Sequence, residues 1–199
     1  MTIDHVNTFI YDGAFPALFN MGRVAMPIFG FVLAYNLARP GALENGVHVR
    51  TMKRLALFGL LASPVFVALV GWDRLNIMFT LLLATAVIYL LAKDGRWHVA
   101  GAVLLLAAFG IIVEFQWFGV LFGVAAWIYC RHPGWLTLLA WVAAGASLYA
   151  INHNHWALAA LPVIFTASRL RLHVPRLRHL FYVYYPAHLG VLWLVRPMG

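Results

Sequence analysis

The sequence predicts an all-α fold: a polytopic transmembrane helical bundle of about seven to eight spans, with a short N-terminal half-helix before them. Three observations carry this. Hydrophobic residues make up 64% of the 199 and charged residues only 10%, with a mean hydropathy of +0.85. A soluble domain devotes about a quarter of its residues to charge, so this chain lacks the polar surface to cover a globule in water. The apolar residues fall in long runs without the two-residue alternation of a barrel, and in lipid a helix is then the structure that satisfies its own backbone. Each run needs its neighbours, so residues 1–199 read as one transmembrane domain.

In chain order the apolar runs are 21–38, 55–71, 75–91, 97–113, 117–129, 135–151, 156–168 and 180–195. Most fall a little short of the ~20 residues of a straight span. Trp72, Trp97, Trp117, Trp135 and Trp156 flank them and extend them into the interface. Runs 117–129 and 156–168 are the shortest, and are read as thinning the bilayer or as partly re-entrant. Ahead of the first run, residues 2–11 read as the end of a helix. Either the chain begins mid-helix or Met1 is an internal methionine of a longer product, and the second is the expectation taken. Asp4 and His5 stand where a signal peptide would carry a basic region, so no cleavable signal is expected.

Charge then orients the runs. Arg39, Arg50, Lys53, Arg54, Lys93, Arg96, Arg131, Arg169, Arg171, Arg176 and Arg178 fall in alternate connections, eleven of the fourteen basic residues. The positive-inside rule makes that side cytoplasmic. The net charge of +8 is therefore topology and not a nucleic-acid signature. Cys130 is the lone cysteine, so no intramolecular disulfide forms. Asn152-His153-Asn154-His155 offers too few ligands and reads as a solvated interfacial turn, so no metal is expected.

An ionisable group inside a membrane is costly and becomes a functional candidate by default. Asp4, His5, Asn7, Arg23, Asn76, Glu114 and His188 are such groups, and under this topology all fall in or near the outer half of the membrane. They predict one polar cavity. Each also has a plainer reading. Arg23 can snorkel, Asn76 can cap a helix, and Glu114 can be a loop residue. His5 and His188 lie at no polar boundary, and imidazoles suit general acid–base work.

Ordered motifs along nearly the whole chain carry a resemblance. Asp4-His5-Val6-Asn7, Gly22-Arg23-Val24-Ala25-Met26-Pro27-Ile28-Phe29, Tyr35-Asn36-Leu37-Ala38-Arg39, Asn76-Ile77-Met78-Phe79, the stretch 114–119 and Tyr185-Pro186-Ala187-His188-Leu189 follow one another in the family's order. In these the chain resembles the TraX-type conjugal pilin acetyltransferase family, membrane acyltransferases of conjugation systems. Members usually carry extra residues before the Asp-His pair, and this chain is compact beside the type member.

The resemblance implies N-acetylation of a conjugative pilin subunit, with acetyl-CoA as co-substrate, in the bacterial inner membrane. On that reading His5 is the general base, with Asp4, Arg23 and His188 as further catalytic groups. Asn7, Asn76, Glu114 and Tyr185 meet substrate, and Arg50, Lys53, Arg54 and Arg169 hold the donor's phosphates. Membrane lipid, the pilin and acetyl-CoA are the implied partners. Two other classes stay open from the residues themselves: a non-catalytic pilin maturation or assembly factor, and a small transporter.

Overall fold

Proline, glycine and a few asparagines decide where the helices start, break and pack, since apolar composition alone sets no boundary. The computed structural model describes residues 1–170 and 180–196. Arg171, Arg176 and Arg178 lie outside the described residues.

The first helix, α1 (Thr2–Ile10), ends in a tight turn in which Asp12 and Gly13 take φ of 48° and 75°. Asn7 holds that turn. Its carbonyl accepts from the Gly13 N–H and its Oδ1 from the Phe15 N–H, both at 2.9 Å. Pro16 then opens α2 (Pro16–Gly22), where its fixed φ suits the first helical turn. The break before α3 (Ala25–Leu37) also has a covalent cause. Pro27 has no N–H to return to the Arg23 carbonyl, so the chain turns at Arg23–Val24. Together α2 and α3 form an apolar stretch of 22 residues.

After a turned segment come α4 (Val47–Val70), α5 (Ile77–Ala92), α6 (Arg96–Phe109) and α7 (Gln116–Arg131). Then α8 (Trp135–Ser147) runs into the single turn α9 (Tyr149–Asn152). A 3-10 turn at Trp156–Ala159 leads into α10 (Ala160–Arg169), and α11 (Leu180–Val195) closes the described chain. Every regular element among the described residues is helical. Three stretches are long and apolar enough to cross a bilayer: Pro16–Leu37, Val47–Val70 and Trp135–Asn152. Ile77–Ala92, Arg96–Phe109, Trp156–Arg169 and Leu180–Val195 are apolar but shorter.

One boundary corrects the sequence reading. The second long helix starts at Val47, not at residue 55, so Arg50, Lys53 and Arg54 lie on its first two turns instead of in a connection. The physical reason is periodicity. His48 and Leu55, seven positions apart, are both buried on one face, while Arg50 and Lys53 project outward from the same turns. Charge ends the apolar run there without ending the helix.

Helix α5 runs through the middle, packed on α3, α4, α6 and α7, and buries nine of its sixteen residues. Helix α3 packs on α7, α11 on α4 and α1, and α8 on α7. Helix α6 is peripheral and buries only Ala102. On the outside, Leu60, Leu104 and Leu136 are 63%, 69% and 63% exposed, a surface that suits lipid and not water. At one end the connections preceding α5 and α7 pair as a single parallel bridge, Leu75 with Val113. That bridge places Glu114, whose N–H donates to the Leu75 carbonyl at 2.8 Å, beside the start of α5.

Candidate active site

Helices α1 and α11 bring His5 and His188 together from opposite ends of the sequence. Nδ1 of His5 lies 3.1 Å from Nε2 of His188, with the rings nearly parallel. The second nitrogen of His188, Nδ1, lies 3.0 Å from the Tyr184 carbonyl one turn back on α11. A carbonyl can only accept, so His188 Nδ1 carries the hydrogen. Nε2 of a neutral His188 is then an acceptor, and His5 must donate to it through Nδ1–H. The lone pair of the neutral pair is left on His5 Nε2. The relay therefore runs from the Tyr184 carbonyl through His188 to a base on His5, with His188 orienting that base. Tyr184 braces it twice: its ring stacks on His188 at 5.2 Å and its hydroxyl is 2.5 Å from the Thr2 hydroxyl.

Asp4, next in sequence to His5, turns about 100° away from it, and forms an ion pair with Arg23. The side chains of Arg23 and Asp4 are only 18% and 5% exposed, so the pair is largely out of solvent. Gly22 makes this approach possible. A Cβ there would collide with the Asp4 side chain, its Cγ at 2.8 Å. The Arg23 guanidinium also lies over the Phe19 ring, 4.3 Å from its centroid. Glu114 is set beside the start of α5 by the Leu75–Val113 bridge, and Tyr185 packs edge-on against His188 at 5.4 Å.

Four atoms of this cluster have no hydrogen-bond partner although they are enclosed: Asp4 Oδ1, Arg23 Nε, Glu114 Oε2 and the Tyr185 hydroxyl. A buried polar atom left unpaired costs about 1–3 kcal/mol. Donors and acceptors gathered this densely without partners are suited to receive a polar ligand.

Two predicted residues have other duties. The Asn7 side chain is committed to the turn after α1. Asn76 is fully buried; its Oδ1 caps α5 by accepting from the Met78 N–H at 3.1 Å. Its Nδ2 donates to the Gly59 carbonyl at 3.0 Å and the Ser63 hydroxyl at 3.3 Å. The oxygen end of the amide thus caps α5 and the nitrogen end fastens α5 to α4, so both serve the fold.

The predicted cationic residues also separate. Arg54 lines a cavity of about 710 Å³ between α3, the start of α4 and the start of α11. Arg50, Lys53 and Arg169 are exposed and do not line it. Sequence reasoning missed the cavity's other polar lining, Arg39, Asn36, Asn45 and Thr51. It also missed Tyr184, Gly22 and Thr2. Tyr184 carried a readable signal, because it precedes His188 by four residues on one helix face.

The family model described as TraX protein matches residues 1–196. Over 113 residues the chain is 31% identical to Protein TraX of Escherichia coli, a stretch that covers 55% of this chain and 43% of that protein. The match thus spans less than half of that relative's length. No solved structure matches the chain.

Proposed function

The chain belongs to the TraX family, and from that premise we propose that it is an inner-membrane N-acetyltransferase. It transfers an acetyl group from acetyl-CoA to the α-amine of a conjugative pilin subunit. The observation that carries this reading is the His5–His188–Tyr184 relay, which leaves one unshared imidazole nitrogen among unpartnered polar groups.

The whole chain acts as one transmembrane domain. The stretch Pro16–Leu37, α4 to α7, Trp135–Asn152, Trp156–Arg169 and α11 cross the membrane in turn as eight spans. The end bearing Arg39, Arg54, Lys93, Arg96, Arg131 and Arg169 faces the cytoplasm. Acetyl-CoA enters the 710 Å³ cavity from that side, with Arg39 and Arg54 on its phosphates. Arg50, Lys53 and Arg169, exposed at the same end, raise the local concentration of an anionic donor.

At the histidine pair, the pilin amine nitrogen bonds to the thioester carbonyl carbon as His5 Nε2 takes its proton. A free α-amine has a reference pKa of about 7.7–8.0, within reach of an imidazole base. The Arg23 Nε–H, left without a partner by the Asp4 pairing, meets the negative charge gathering on the carbonyl oxygen. The C–S bond then breaks, and the departing thiolate of CoA recovers the proton from His5. Glu114 and Tyr185 hold the amine before attack. No metal takes part.

Intact-mass measurement of the neighbouring pilin tests this. Cells carrying the chain yield pilin heavier by roughly 42 Da, an acetyl in place of a hydrogen, and cells carrying His5→Ala yield unmodified pilin with the protein still inserted. Fully acetylated pilin in the His5→Ala cells would overturn the assignment. Pilin that binds the chain without gaining mass would instead make it an assembly factor.

A further inference from the structure

Phe29, Leu81 and Phe181 are among the apolar side chains that line the 710 Å³ cavity. The same three residues also line a second, much smaller cleft of about 10 Å³. Its lining also includes Tyr184 and Tyr185, and both of these rings pack on His188. The cavity and the cleft thus share three apolar side chains, and the cleft shares two rings with the surroundings of His188. The rings of Phe29 and Phe181 meet edge to face, with centroids 4.3 Å apart. That is close contact between α3 and α11 at the shared side chains.

We propose that Phe29, Phe181 and Leu81 form a sieve that passes a short, uncharged acyl group to the histidine pair and turns longer or charged ones back. This rests on the acyl-transfer reading above and names the class of donor it accepts. The physical basis is room and polarity. A cleft of about 10 Å³ accommodates one group the size of a water molecule or a methyl. Each further methylene must displace a phenylalanine packed against its partner on another helix. A carboxylate on the acyl chain would lose its water on passing between Phe29, Leu81 and Phe181, none of which has a polar side-chain atom to replace it.

The test uses the full chain in lipid nanodiscs with purified pilin, offered acetyl-, propionyl-, butanoyl- and succinyl-CoA at equal concentration. The adducts are counted by intact mass. Wild type favours acetyl over propionyl by about 10- to 200-fold, the usual discrimination for one methylene, and yields no butanoyl or succinyl adduct. In Phe29→Ala and Phe181→Ala the acetyl-to-propionyl ratio falls at least about tenfold. The ratio is the readout because a general loss of activity does not move it.

Where an alanine variant fails to insert, Phe29→Leu and Phe181→Leu replace it, and the wild-type donor series tests the sieve without any substitution. Wild type that transfers butanoyl as readily as acetyl overturns the sieve and leaves the acyltransferase standing. A monodisperse Phe29 or Phe181 variant with the wild-type ratio does the same. Wild type that transfers no acyl group from any donor overturns the functional reading, and the sieve falls with it.

Discussion

Trp141 on α8 and His188 on α11 are both buried among aromatic rings, and they are enclosed in opposite ways. Trp141 is 0% exposed, ringed by Phe31 of α3 at 4.9 Å, Tyr129 and Phe122 of α7 at 5.4 and 6.0 Å, and Phe165 of α10 at 6.0 Å. One indole joins four helices through ring contact. Around His188 the rings belong to groups that can exchange protons, and the enclosed atoms without partners belong to titratable side chains, Asp4, Arg23, Glu114 and Tyr185, whereas Trp141 leaves only its own indole nitrogen unpaired. Lipid offers no hydrophobic drive for helices to associate, so side-chain packing has to hold them. The contrast assigns that work to the Trp141 side, and leaves the His188 side free to hold polar groups at a cost in stability.

Truncating the indole should therefore give the largest loss of stability. Trp141→Ala removes the shared ring of four helices, and the loss expected for a buried Trp or Phe is about 3–5 kcal/mol. Thermal unfolding in detergent checks it. Acetylation per folded molecule should remain as in wild type, because Trp141 touches none of the relay. A variant that unfolds as wild type, or that stays folded and loses acetylation, would break the division between the two regions.

The next effect is smaller and falls on the other side. Gly22→Ala puts a methyl group into the Asp4 side chain. Overpacking of this kind costs about 1–3 kcal/mol. Helix α1 packs on α2 and α11, so it can shift without disturbing α3, α5 and α7. Such a shift carries His5 off His188, and a 1 Å misplacement costs on the order of 10²-fold in rate. The expected outcome is a small change in melting with a large fall in pilin acetylation. Near-wild-type acetylation in Gly22→Ala would mean that the α1 position does not govern the base.

Much of this contrast could be read from the residues, and the part that could not has physical reasons. The last helix was legible at its C-terminal end, since the apolar run stops before Arg196 and α11 ends at Val195. His5 and His188 stood out because an imidazole in an apolar run has few structural excuses. Asn7 and Asn76 stood out for the same reason, and the structure shows one holding a turn and the other a helix start. Whether a buried amide is free or engaged depends on its partners. For Asn76 those are Gly59 and Ser63 on the preceding helix, two residues with no mark in the sequence. The 710 Å³ cavity was invisible for a related cause: its lining comes from α3, α4, α5 and α11 as well as the turn between α3 and α4. Arg54 belongs to it while Arg50, one turn earlier on the same helix, does not.

The smallest effect is the most discriminating. Tyr185 is 2% exposed and its hydroxyl has no partner. In a purely structural core that oxygen would be a burden. Tyr185→Phe deletes it and keeps the ring against His188, so stability should hold or rise by about 1 kcal/mol, the desolvation cost of one unpaired hydroxyl. If the hydroxyl meets the incoming amine beside Glu114, acetylation should fall in the same variant, with the loss concentrated in KM for the pilin. Stability and activity would then move in opposite directions at one atom. A Tyr185→Phe protein that melts lower than wild type would mean the hydroxyl has a partner in the folded state. One that melts as predicted yet acetylates at the wild-type rate would remove Tyr185 from the site while leaving the histidine relay intact.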